Sequence, residues 1–334
     1  MSSLTQALIG TYTPLIGWTV FGAILGRQLP KIVPKYIGLF LFWIGVPIST
    51  IAFMHDADLS GIILMVPATA WVAILVGAGF ALLWIDLELN EERVRQLTEG
   101  LNLPAEASEA DSSAWPGTTR GSFLLAMMVG NTGYIGFPVI LNLLGQEYFS
   151  WALLYDFLGT DFGVQVLGVA IAARYGSRHL NRGAIARVFR GLLLENPALW
   201  ALGVGLLLRS VQFPNPVESS LNFFAWSIVS LALILIGMKL GQLRSIEKFG
   251  QAIPTVSIKM LLVPLVVGTA LMFFDVTEQQ RLAMVLQMGM PPAFGTLVLA
   301  EAYNLDRDLA VSALAMGTVV LLFTLPIWLL LFGT

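Results

Sequence analysis

Apolar residues fall into long runs separated by short polar or charged connections. A membrane-spanning helix needs about 20 mostly apolar residues. On that rule the chain predicts ten helices, over approximately 8–26, 36–54, 61–85, 121–144, 148–173, 196–213, 219–241, 253–274, 281–303 and 309–332. Only one connection is long, the stretch 86–119, and it is acidic through Asp86, Glu88, Glu91, Glu92, Glu99, Glu106, Glu109 and Asp111, with Arg93 and Arg95 interspersed. It reads as a solvated linker with one short surface helix over 88–101. The first apolar run has no basic stretch before it and no small-residue cleavage site at its end, so it is read as the first span rather than a signal peptide.

Composition strengthens this picture. Hydrophobic residues make up 57% of the 334 residues and charged residues 12%, against roughly 45–50% and about 25% in a soluble domain. A core of this size could not hide that much apolar surface from water, whereas a lipid bilayer is itself the apolar solvent. The net charge of −3 argues against nucleic acid as a partner. There is no Cys, which removes disulfides and thiolate chemistry. His55 and His179 are far apart and outside the apolar runs, so no metal site is expected.

Lys and Arg are distributed unevenly between the two sides. Arg27, Lys31, Lys35, Arg93, Arg95, Arg120, Arg174, Arg178, Arg182, Arg187, Arg190, Arg244, Lys248 and Arg307 fall in alternate connections. Lys239 and Lys259 lie at span ends on that same side, where snorkelling to water would accommodate them. Only Arg209 and Arg281 fall on the other side. Basic loops stay in the cytoplasm, so a multi-pass protein of the cell (inner) membrane is expected, with both termini non-cytoplasmic.

The spans also repeat. Pro14 and Gly22 in the first span match Pro197 and Gly205 in the sixth, and Pro67 matches Pro264. The Gly-rich segment 130–136 matches 289–295, and Gly159-Thr160 matches Gly317-Thr318 after one inserted residue. An odd number of spans per half turns the second half upside down. The predicted fold is therefore an all-α membrane protein of ten transmembrane helices in two inverted five-helix repeats. The first repeat covers 1–173, a basic cytoplasmic linker 174–195, and the second repeat 196–334. This is a transporter architecture, with the solute near the midplane.

Spans four and nine should be broken. Gly130, Gly133, Gly136 and Pro138 crowd the fourth, with Asn131 and Thr132 between them; Gly289, Met290, Pro291, Pro292, Gly295 and Thr296 occupy the matching part of the ninth. Pro in a helix interior costs about 3 kcal/mol. Unwound backbone at membrane depth survives only in protein or beside a wet cavity. Half-helix N-termini pointing inward favour an anion, and Asn131 and Thr132 add hydrogen-bonding groups. A packing role for these glycines is the plainer alternative.

The segment 130–138 (Gly-Asn-Thr-Gly-Tyr-Ile-Gly-Phe-Pro) resembles the fourth-span motif of the auxin efflux carrier (PIN-like) family. The run 290–301 followed by Asn304 and Asp306 is similar to that family's ninth span, and Asn196-Pro197 fits the opening of its sixth. The resemblance implies scaffold and transport subdomains, crossing fourth and ninth spans at the substrate site, an elevator-like motion and a homodimer. The short central loop and Met290-Pro291-Pro292 point to the bacterial branch, associated with carboxylates such as malate or malonate. The resemblance also implies that Ser49 and Thr50, beside the Pro47 bend, line the pocket; bonding back to their own helix is the alternative.

Asp156 and Asp161 lie inside the fifth span, where an acid usually faces a cavity or partner. On an α-helix, residues i and i+5 project about 140° apart, so the two should face different ways. Asp156 is the better coupling or gating candidate, and Gln165 could direct an amide towards the crossover. Glu301 and Asn142 follow the two breaks, with gating or snorkelling as readings for Glu301.

The expected function is a secondary transporter of a small organic anion. The alternatives are a sodium- or proton-coupled symporter, with that ion as the only cofactor, and an intramembrane aspartate enzyme. Paired catalytic carboxylates must converge, and two on diverging faces of one helix would not, so no enzyme is expected.

Overall fold

The structure is a computed structural model. It describes residues 3–55, 63–100, 115–177, 196–209, 211–242 and 247–333. Most of the basic linker and part of the acidic loop therefore lie outside the described residues. The fold is all-helical. Among the described residues the one extended pairing is an isolated antiparallel bridge between Gly130 and Pro292. Among these residues six helical stretches are long and apolar enough to cross a membrane, and large side chains such as Phe223, Leu207 and Phe323 face outwards, 68–79% exposed. The protein is a multi-pass membrane protein.

Helix α1 covers Ser3–Gln28. The next stretch runs from α2 (Ile32–Phe40) through a π-helical segment, Leu41–Gly45, into α3 (Val46–His55). Helix α4 spans Met65–Gly100 without interruption. Residues 86–100 thus continue the third span instead of forming a separate surface helix. Strong helix formers with no Gly or Pro before Gly100 keep the winding favourable after the apolar run ends, and Asn90 donates to Asp86 one turn back at 3.2 Å.

The fourth apolar run is divided into α5 (Gly117–Met128), a π-helical turn Thr132–Gly136 and α6 (Phe137–Leu143). The fifth passes from α7 (Phe149–Leu154) through π segments Tyr155–Asp161 and Val164–Gly168 to α8 (Val169–Tyr175). Then follow α9 (Pro197–Leu208) and α10 (Asn215–Gly241). The eighth run comprises α11 (Phe249–Ser257), a π segment Ile258–Leu262 and α12 (Val263–Ala270). The ninth is divided into α13 (Glu278–Met288) and α14 (Phe294–Tyr303), and α15 (Arg307–Phe332) closes the described chain. The shorter apolar helices are Thr132–Leu143 and Phe294–Tyr303, in the two broken runs, and α9.

Two groups of helices emerge from the packing. Helix α1 lies along α10, and α3 packs on both α9 and α10. Separately, α4 packs on α5 and on the Tyr155–Asp161 segment, α11 and α13 on α15, and α12 on α13. The first group is held by close backbone contact. A Cβ on Gly22 would stand 2.1 Å from the Ile234 carbonyl oxygen of α10. Gly205, which the sequence aligns with it, admits α3, with a Cβ there 2.9 Å from Met54 Cβ.

Candidate functional site

The breaks in the fourth and ninth runs meet each other. Val129 is extended (φ −118°, ψ 131°) and Asn131 has φ −80°, ψ 62°, so three residues leave the helix. Their backbone groups need partners, since none comes from lipid. Asn131 N donates to the Pro291 carbonyl at 2.7 Å, and Ala293 N donates to the Val129 carbonyl at 3.2 Å. Pro291 and Pro292, which have no N–H to satisfy, sit in the other unwound strand of this short antiparallel pair. The crossing is tied backbone to backbone.

Beside it lies a cavity of about 310 Å³ between the two helix groups. The α14 N-terminus contributes Ala293, Phe294 and Gly295, and the fourth run contributes Gly130 to Tyr134 with Phe137 and Pro138. Ser49 and Thr50 reach it from α3, and their buried hydroxyl oxygens have no hydrogen-bond partner. They do not bond back to their own helix, which leaves both available to a solute. Gln165 also lines the cavity.

Asp156 and Asp161 both line it, which corrects the expectation that they diverge. The segment between them is π-helical. With i→i+5 hydrogen bonds, the fifth residue along returns to nearly the same face, whereas an α-helix would turn it away. Tertiary contacts hold this winding: the Trp71 indole donates to the Leu158 carbonyl at 2.9 Å, and Gly159 is pressed against Ala70. Asp156 accepts a hydrogen bond from the Thr132 hydroxyl, and its Oδ2 is 3.0 Å from where a Gly133 Cβ would stand. A carboxylate of the protein's own therefore faces the start of the second half of the fourth run.

Asp161 lies beside the Asn196 side chain. The Asn196 side-chain Oδ1 caps α9, accepting from Ala198 N at 3.0 Å and Leu199 N at 3.4 Å. Asn196 was read in the sequence only as the opening of a span. The Asn-Pro pair is an N-cap followed by Pro at the first helical position, and that signal could have marked it as a fixed amide.

Other expected residues are elsewhere. Met290, Pro291 and Pro292 build the crossing from behind, outside the cavity lining. Gly136 is likewise outside it: a Cβ there would lie 2.1 Å from Gln287 Oε1, so its bareness admits that buried carboxamide. Thr296 donates to the Ala293 carbonyl at 2.7 Å, securing the first turn of α14. Asn142 donates to the Pro138 carbonyl at 2.7 Å. Glu301 is half exposed and pairs with Arg307 at 2.8 Å, away from the cavity. Lys259, expected to snorkel, is 2% exposed.

Comparison with known proteins places the chain among membrane transporters. An uncharacterized transporter of Methanothermobacter thermautotrophicus is 25% identical over 98% of this chain and 95% of its own. A second, from Methanocaldococcus jannaschii, is 26% identical over 62% of this chain and 67% of its own. Uncharacterized transporter YfdV of Escherichia coli is 22% identical over 59% and 63%. Residues 114–329, well over half the chain, match the family described as membrane transport protein. This chain is thus a membrane transporter of that family, the auxin efflux carrier family which the two crossover motifs resemble.

Proposed function

We propose that the chain is a secondary transporter carrying a small organic anion by elevator-type alternating access, with the crossover cavity as the solute site. One observation carries this reading: the N-terminal end of α14 opens without a side-chain cap onto a cavity between two separately packed helix groups. Uncapped N–H groups carrying roughly half a positive charge suit a carboxylate, while Ser49, Thr50 and Gln165 supply hydrogen bonds. The basic bias of the connections supports the cell membrane with both termini outside the cytoplasm. The test is thermal melting of the purified protein with malonate and malate, against amines of matched size. Stabilisation by the carboxylates, lost in Asn131→Ala, is the expected result; stabilisation by the amines alone would refute the anion.

A coupled mechanism is favoured by a further feature. Two carboxyl groups line the cavity, and among the described residues no Lys or Arg lines it with them; the Lys239 ammonium stands against the Phe294 ring, 4.2 Å from its centroid. An anion cannot sit beside two unpaired carboxylates in a poorly solvated space, so proton uptake by these groups would accompany solute binding. Carboxylate-induced stabilisation should then grow as the medium is acidified. Asp156→Asn should flatten that dependence, and an unchanged pH profile would remove Asp156 from coupling.

A further inference from the structure

Lys259 lies on the far side of the crossing from the cavity, in the π segment Ile258–Leu262. It is 2% exposed, and its ammonium donates to the Met288 carbonyl at 3.2 Å. That carbonyl is the last of α13. On the opposite strand, Lys259 Cε is 3.4 Å from where a Cβ on Gly130 would stand, two residues past the end of α5 at Met128. The ammonium therefore stands where the C-terminal ends of both broken runs converge. Among the described residues no carboxylate forms an ion pair with it.

Each helix C-terminus is equivalent to roughly −0.5 of an elementary charge. Two such ends together present about −1, which a single ammonium balances. An unpaired buried lysine is costly, and its position between two partial negative charges offsets that cost. We propose that Lys259 is the fixed cation of the crossover, filling the place that a bound metal cation would take between the two half-helix ends. It acts as a positioning residue: it holds the two unwound strands together and leaves no vacancy for sodium there. Coupling, where present, then falls to the cavity carboxyls.

Thermal melting of the purified full-length protein tests this without knowledge of the solute. Samples are compared in sodium, methylammonium and choline chloride at equal ionic strength. With Lys259 intact and the cavity carboxyls neutralised (Asp156→Asn, Asp161→Asn), the protein should melt at the same temperature in all three. Lys259→Met keeps the packing and removes the charge, and should melt lower by about 5 °C or more. A lysine serving only as packing would leave the melting temperature nearly unchanged, since methionine fills much the same volume. Lys259→Ala should melt lower in choline and recover in methylammonium or sodium, which can enter the vacated position. A Met variant at least as stable as wild type, or an Ala variant with no recovery, would overturn the assignment. Should neither Lys259 variant fold, the Asp156→Asn, Asp161→Asn protein decides: stabilisation by sodium over choline with the cavity carboxyls removed would show an open cation site at the crossing and refute the proposal.

Discussion

Asp156 and Asp161 share a cavity but not a partner. Asp156 is hydrogen-bonded by Thr132 within its own helix group, and Asp161 lies beside Asn196 of the other. The second contact can be probed without disturbing the helix that Asn196 begins. Asn196→Asp keeps a good N-cap while setting one carboxyl against another in a buried place. The variant should melt at a lower temperature near neutral pH and recover towards wild type as the medium is acidified; an unchanged melt would mean that the two side chains do not interact. Acids in the fifth span were legible because an apolar run makes them conspicuous. Their shared direction was not, because a π segment has no residue pattern of its own and here depends on Trp71 and Ala70, far away in the chain. The depth of Lys259 was hidden for a similar reason: its place near a span end says nothing about which way the side chain turns.

At the scale of elements, the breaks in the fourth and ninth runs were readable from Gly and Pro, and their mutual pairing was not, since hydrogen bonds between main chains leave no trace in residue type. Close packing of α1 on α10 gives a direct test. Gly22→Ala would force a methyl group onto the Ile234 backbone, which cannot move aside as a side chain could. A loss of about 1–3 kcal/mol is expected, read as a lower melting temperature. The end of α14 is secured differently. Asp306 caps α15 through Leu309 N at 3.0 Å, accepts from Thr119 at 2.7 Å and pairs with Lys248 at 2.9 Å. Burial opposes its charge, but the Thr119 and Lys248 hydrogen bonds, the Leu309 N–H and the Lys248 charge outweigh it, so its carboxyl titrates below the usual range. The stability it adds is complete above the ordinary carboxylate value of about 3.9 and fades as pH falls through the lowered one. Asp306→Ala should cost about 0.5–2 kcal/mol at neutral pH, with the gap to wild type closing only in strong acid.

Across the whole molecule, the proposed elevator cycle requires the two helix groups to slide past one another. Their border includes the rings of Phe53 on α3 and Phe149 on α7, whose centroids are 4.7 Å apart. The chain contains no cysteine, so a Phe53→Cys, Phe149→Cys variant would carry the only two thiols. Both rings also line the cavity, so the unbridged variant is the reference: bridging its two thiols with a short bifunctional reagent should stop the solute flux that the unbridged form retains. Continued flux in the bridged protein would exclude this sliding motion. The main-chain tie between residues near 130 and 292 also has an outcome for biogenesis. The two strands are separated by about 160 residues, so at roughly 5–20 residues per second the earlier one waits some 8–30 seconds for its mate to leave the ribosome. Through that interval the amide of Asn131 and the carbonyl of Val129 lack their eventual partners in a medium that supplies none. The nascent first half must therefore borrow substitutes from water, lipid headgroups or the insertion machinery until its complement arrives.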